Sequence, residues 1–174
     1  MRSARCEDVI VGSGAGGAVL AARLATAGRS VIVVEEGPSV SSSDFTQREG
    51  AMYALLYRDA GSQLTKDGAI SVLQGRCLGG STTINMGDCV PTPEPVLEHW
   101  RRKFAWGDWG GISNADFAAA SDRALVEVGA TPIPDALTNR NNRLLEEGAG
   151  KLGLRGHRLT SNRQGCVGAG TCLI

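Results

Sequence analysis

The 174 residues carry no excess of charge: 18 Lys and Arg stand against 18 Asp and Glu. Divided at Val90, the first part holds eight basic and nine acidic residues and the second ten and nine. Neither part is a basic arm or an acidic tail, so charge alone offers no grip on a nucleic acid, and no nucleic-acid partner is expected. No apolar run approaches the roughly 20 residues a membrane-spanning helix needs, so no transmembrane segment is expected. Met1 to Glu7 lacks the basic-then-apolar layout of a secretory leader. Cysteine is sparse, five in all, an odd number that suits no secreted disulfide framework; the expectation is a reducing, cytoplasmic setting. Histidine is sparser, at two. Glycine is in excess, 24 residues, about twice the usual ~7%. With 42% apolar residues the chain is no flexible linker, so its glycines must be explained by position.

The length suits about one domain. Asp8-Val9-Ile10-Val11 reads as a strand covered on both faces, because its apolar run is continuous rather than alternating. Residues 15–27 are rich in Ala and Leu at helical spacing, and Gly28 supplies a stop. Val31-Ile32-Val33-Val34 reads as a second buried strand. Together they predict a right-handed, parallel βαβ unit of the α/β class, Rossmann-like. Further on, residues 44–59 read as a helix capped by Asp44, and residues 70–73 as a short strand. Pro91, Pro93 and Pro95 mark a boundary. Residues 1–90 are thus expected to form one part and residues 91–174 a second, mostly helical one. Its helices are expected over residues 95–104, 114–128 after a Ser113 cap, and 139–152. Residues 170–174 look like the start of a strand.

Gly12-Ser13-Gly14-Ala15-Gly16-Gly17 fits the pattern GxGxxG between a strand and a helix. Gly12 permits the tight turn, Gly14 lets the backbone approach a pyrophosphate, and Gly17 lets the helix pack closely on the sheet. The anion then sits at the helix N-terminus, among unpaired N–H groups. Glu35 closes the second strand at the position of the acid that accepts from ribose hydroxyls, and it would repel a 2′-phosphate. Gly37 completes a Glu-x-Gly ending more typical of flavin than of nicotinamide proteins. The bland alternative is a βαβ unit with a glycine turn and no ligand.

Gly75-Arg76-Cys77-Leu78-Gly79-Gly80-Ser81-Thr82-Thr83-Ile84-Asn85 is a second glycine-rich loop, in which Ser81 can donate to phosphate or cap a helix. With Asp8 through Gly37, this stretch resembles the glucose–methanol–choline (GMC) family of FAD-dependent oxidoreductases, whose Gly-x-Leu-Gly-Gly-Ser segment packs on the pyrophosphate and flavin. His99-Trp100 and Trp106 to Trp109 resemble it more loosely. The resemblance implies FAD as cofactor, with Gly12, Ser13, Gly14, Ala15, Gly17, Glu35, Gly79, Gly80, Ser81 and Asn85 as the cofactor-binding set. Some members attach FAD through a histidine at or next to the positions of Ile84 and Asn85. Neither residue can form that bond, so the FAD is expected to be non-covalent. The implied chemistry is oxidation of an alcohol CH–OH group, with hydride passing to flavin N5. The family's base is a late histidine, and neither His99 nor His157 sits in a matching motif. No catalytic residue is therefore assigned, and the chain reads as an N-terminal fragment, inactive by itself, whose alcohol substrate is bound by parts not present. The alternatives are a nicotinamide-dependent dehydrogenase and a non-catalytic dinucleotide-binding fragment.

Cys166 and Cys172 are separated by five residues, outside the spacing of zinc knuckles, so no metal is expected. Cys77 reads as a small buried residue, the tryptophans as packing residues, and Arg101-Arg102-Lys103 as a solvated helix face.

Overall fold

A computed structural model describes residues 3–104 and 111–168. Trp106, Trp109, Cys172 and the strand expected over residues 170–174 lie outside the described residues. The chain divides into two units, the first ending at Met86 and the second starting at Gly87.

The first unit begins with β1 (Asp8–Val11), α1 (Ala15–Thr26) and β2 (Val31–Val34). The two strands pair in parallel, Asp8 opposite Val31 and Val11 opposite Val34. This is the βαβ unit that the apolar runs predict. Alanine and leucine favour the helix. It stops where Gly28 takes a left-handed φ of +83° and the Gly28 and Arg29 amides bond back to the carbonyls of Ala25 and Leu24. Arg29 grips Asp8 with Nε 2.5 Å and Nη2 3.0 Å from its carboxylate oxygens, tying the start of β2 to the start of β1. Gly17, Ala21 and Leu24 make the half-buried stripe of α1, at the spacing of one helix face.

Full burial of the strands is not observed. Ile10 is buried, but Val11 is 86% exposed and Val9 61%. Continuous β-branched runs match strands with both faces covered. Here the sheet has two strands among the described residues, and α1 packs on them.

The helix expected over residues 44–59 is also corrected. Asp44 closes a single 3₁₀ turn, Ser42–Asp44, with its carboxylate turned back onto the Ser41 amide at 2.6 Å. Gln47 then adopts a positive φ of 61°, which a helix cannot accommodate. α2 begins only at Glu49 and runs to Leu56. It stops because the backbone beyond turns to the second glycine loop: Arg76 N–H donates to the Leu56 carbonyl and Arg58 N–H to the Gln74 carbonyl, at 2.7 and 2.9 Å. Residues 70–73 form no regular strand, only an isolated bridge between Leu64 and Ser71. Met52, Leu56, Tyr57 and Cys77 form the core of this unit, with Val40, Phe45, Tyr53 and Ile84 against it. Tyr53 and Tyr57 stack with ring centroids 4.3 Å apart. Full burial of a side chain such as Leu56 contributes about 1.5–3 kcal/mol.

The second unit carries α3 (Glu94–Phe104), α4 (Asn114–Glu127) and α5 (Arg140–Lys151), with β3 (Thr131–Pro132) antiparallel to β4 (Thr160–Ser161). Asn139 caps α5 through a 2.9 Å bond from the Asn142 amide. Asp88 bridges Ser161, whose buried hydroxyl donates to the Gly87 carbonyl at 2.9 Å. Arg101, Arg102 and Lys103 are exposed in the last turn of α3, where positive charge suits the helix dipole.

Candidate functional site

The first glycine loop leaves β1 through Gly12, whose φ of +89° favours glycine and whose amide bonds the Val34 carbonyl at 2.8 Å. Gly14 is the N-cap residue of α1 and Ala15 its first helical residue; no side chain caps this end. Its leading amides therefore remain open to an acceptor. A Cβ added at Gly12, Gly14 or Gly16 would meet no atom within 4 Å, whereas at Gly17 it would overlap the Gly12 carbonyl oxygen. Glycine at 17 is thus required by helix-on-strand packing, and glycine at 14 keeps the space above the loop clear.

Glu35 leaves β2 with its carboxylate turned to this loop. Its Oε2 accepts from the Ser13 amide at 2.9 Å and the Ser13 hydroxyl at 2.6 Å, and its Oε1 from the Gly37 amide at 3.0 Å. Hydrogen bonds from the Ser13 hydroxyl and then the Gly37 and Ser13 amides hold the Glu35 pKa down to about 2, since each favours the ionised form. Glu35 is therefore fully charged at neutral pH.

The second glycine loop lies against the first. The Gly79 amide donates to the Ser13 hydroxyl at 2.8 Å, across 66 residues of chain. A Cβ on Gly80 would sit 3.1 Å from the Gly14 Cα. Gly79 and Gly80 take φ of +90° and +55°, which turns the backbone sharply here. Ser81 and Asn85 face back into their own loop: the Ser81 hydroxyl accepts from the Gly75 amide at 3.0 Å, and Asn85 Nδ2 donates to the Thr82 carbonyl at 2.7 Å. Cys77 is wholly buried, and burial pushes its thiol pKa up.

Gly12, Ser13, Gly14, Glu35, Gly79 and Gly80 are thus drawn together, with Ala15 and Gly17 behind them on α1. Two glycines left out of the candidate set prove to hold the arrangement. A Cβ on Gly37 would overlap the backbone of Arg76 and Cys77, and one on Gly75 the backbone of Gly80. The sequence marked Gly37 through the Glu-x-Gly ending and Gly75 as the start of the second glycine loop, but neither pattern shows which backbone each one meets. His99 and His157 both lie in the second unit, the former edge-on to Phe104 with centroids 6.5 Å apart. Among the described residues, Cys6, Cys77, Cys89 and Cys166 are free thiols.

A parallel βαβ unit with an uncapped, glycine-led helix and a charged acid at the end of its second strand defines a dinucleotide-binding protein. The comparisons with known proteins narrow this class. The model of the GMC oxidoreductase family matches residues 53–174, and that of an FAD-binding domain matches residues 8–77. The chain belongs to the GMC oxidoreductase family. It is 36% identical over 173 residues to a GMC-type oxidoreductase of Mycobacterium tuberculosis, covering 98% of this chain and 27% of the relative. A long-chain-alcohol oxidase of Arabidopsis thaliana is 33% identical over 151 residues, 87% of this chain and 20% of the oxidase. A GMC-type oxidoreductase of Sinorhizobium fredii is 32% identical over 167 residues, 95% of this chain and 32% of that protein. The chain spans roughly a quarter of the length of such relatives.

These matches indicate FAD as the cofactor, and the residues fit it. The clear space over Gly12, Gly14 and Gly16 admits a backbone-hugging diphosphate. In the second loop the buried Arg76 Nε has no hydrogen-bond partner, an orphaned cationic donor of the kind an anionic group satisfies. No helix among the described residues is long and apolar enough to cross a membrane. Nor do those residues gather three or more His, Cys, Asp or Glu into a metal-holding group.

Proposed function

We propose that this chain is the FAD-binding part of an oxidoreductase acting on the CH–OH group of an alcohol. The observation that carries the reading is the junction of the two glycine loops, Ser13 bonded to Gly79 and Gly14 beside Gly80, next to the charged carboxylate of Glu35. Open amides at the start of α1 bind the pyrophosphate, and Gly14 keeps the approach clear. The remaining acceptor capacity of Glu35 Oε1 takes a ribose hydroxyl, and its charge disfavours a 2′-phosphate. Gly79, Gly80, Ser81 and Asn85 form the neighbouring wall. Bound there, FAD supplies a two-electron acceptor for hydride from the carbinol carbon.

The long-chain-alcohol oxidases among the relatives support an alcohol as the substrate class. Ile84 and Asn85 offer no nucleophile of the histidine kind, so the cofactor is held non-covalently. No base is assigned to His99 or His157, and the chain alone is expected to bind cofactor without oxidising alcohol. The four free thiols are compatible with a reducing, cytoplasmic setting.

Titration of the purified chain with FAD, followed by flavin absorbance and fluorescence, tests the reading. Saturable binding that Gly14→Val weakens at least tenfold is expected, because a branched Cβ occupies the diphosphate's space. A chain that ignores FAD and binds NADH overturns it.

A further inference from the structure

Ser13 is only 5% exposed, although it sits in the middle of the first glycine loop. A serine hydroxyl offers one donor and two acceptor sites. Here the donor goes to Glu35 Oε2 at 2.6 Å, and the oxygen accepts from the Gly79 amide at 2.8 Å. The Ser13 amide adds a second bond to the same carboxylate oxygen at 2.9 Å. The hydroxyl is therefore engaged inside the protein rather than held out toward a phosphate. A carboxylate has about four lone-pair sites. Ser13 fills two on Oε2 and the Gly37 amide one on Oε1, and the Glu36 backbone adds a smaller stabilisation. Gly79, at a φ of +90°, directs its N–H to that hydroxyl oxygen.

We propose that Ser13 is a positioning residue whose hydroxyl locks the Glu35 carboxylate to the second glycine loop, holding acid and loop in one register for the dinucleotide. This rests on the FAD reading above. Three charged or titratable groups lie near Glu35: the Cys77 thiol, whose pKa is raised by burial and, to a lesser degree, by the Glu35 charge, the adjacent Glu36, and Arg58, which pairs with Glu36. None supplies a cation directly to Glu35. Its charge is held chiefly by the Ser13 hydroxyl, then the Gly37 and Ser13 amides, with a smaller part from the Glu36 backbone.

The test measures FAD affinity of the full chain from neutral pH down to about pH 4, for the unsubstituted protein, Ser13→Ala, Ser13→Thr and Glu35→Gln. The unsubstituted chain should keep a nearly flat profile, because Glu35 stays ionised. Ser13→Ala should lose about tenfold at neutral pH and weaken further toward the acid end of the range. Loss of the hydroxyl donor moves the Glu35 pKa up toward the ordinary glutamate value, while the Ser13 and Gly37 amides still hold it below that value. Ser13→Thr should restore the flat profile, and Glu35→Gln should be weak at every pH. Without FAD, hydrogen exchange at the Gly79 amide should speed up in Ser13→Ala and not in Ser13→Thr.

An unchanged Gly79 exchange rate, or a Ser13→Ala loss that is absent or equal at every pH, overturns the proposal. If Ser13→Ala does not fold, Ser13→Cys, a weaker donor of similar volume, should show the same acid sensitivity, and a flat profile there overturns it too. A chain that binds no FAD at all sinks the cofactor reading, while the Gly79 exchange rate still decides whether Ser13 joins the loops.

Discussion

At Gly37 an added Cβ would overlap the Arg76 carbonyl and the Cys77 amide, so the Glu35-Glu36-Gly37 ending is a meeting of two loops as much as a ligand signature. Gly12 is a glycine for another reason: its φ is +89°, while a Cβ there would touch nothing. Gly37→Ala should therefore destabilise the chain by about 1–3 kcal/mol through overpacking against a backbone, read as a lower urea midpoint with unchanged m-value. An alanine variant as stable as the parent would show that the loops separate freely. Glu35 adds a pH dependence of known sign. Its pKa is lowered to about 2, so its contribution is complete above the ordinary glutamate range and is lost as pH falls toward 2.

Among the elements, α1 follows from composition: helix formers inside, glycine at both ends, and a stripe at Gly17, Ala21 and Leu24 facing the sheet. α4 is defined by its cap. The Ser113 hydroxyl accepts from the Asp116 amide and the Asp116 carboxylate accepts from the Ser113 amide, both at 3.1 Å. Removing the hydroxyl in Ser113→Ala should cost about 1 kcal/mol and reduce helical circular dichroism on mild denaturation. Loss of neither would mean that packing alone holds the helix start. Residues 44–59 show the reverse case, in which an apolar face and an acidic cap suggested one helix. The Asp44 carboxylate instead satisfies the Ser41 amide, and Gln47 breaks the path.

At the scale of the molecule, each unit buries few large apolar side chains among the described residues. In the first, Val9, Val11 and Leu20 are exposed; in the second, Val126, Leu145 and Leu152. With zero formal net charge, such surfaces favour association. The native chain should enhance the fluorescence of an apolar dye such as ANS at neutral pH and scatter more light as its concentration rises; a dye-silent, monodisperse chain would show these side chains covered in solution. The sequence by itself determined the local framework: β1, α1, β2, the glycine turns and the capped start of α4. Propensity, periodicity and capping act over a few residues, so short stretches carry them. Only the tertiary structure decided that Ser13 faces Glu35 and Gly79, that Gly37 and Gly75 are fixed by neighbouring backbone, and that the strands stay largely uncovered. Those outcomes depend on contacts between residues as far as 66 positions apart, and a local pattern holds no record of which distant backbone will arrive beside it.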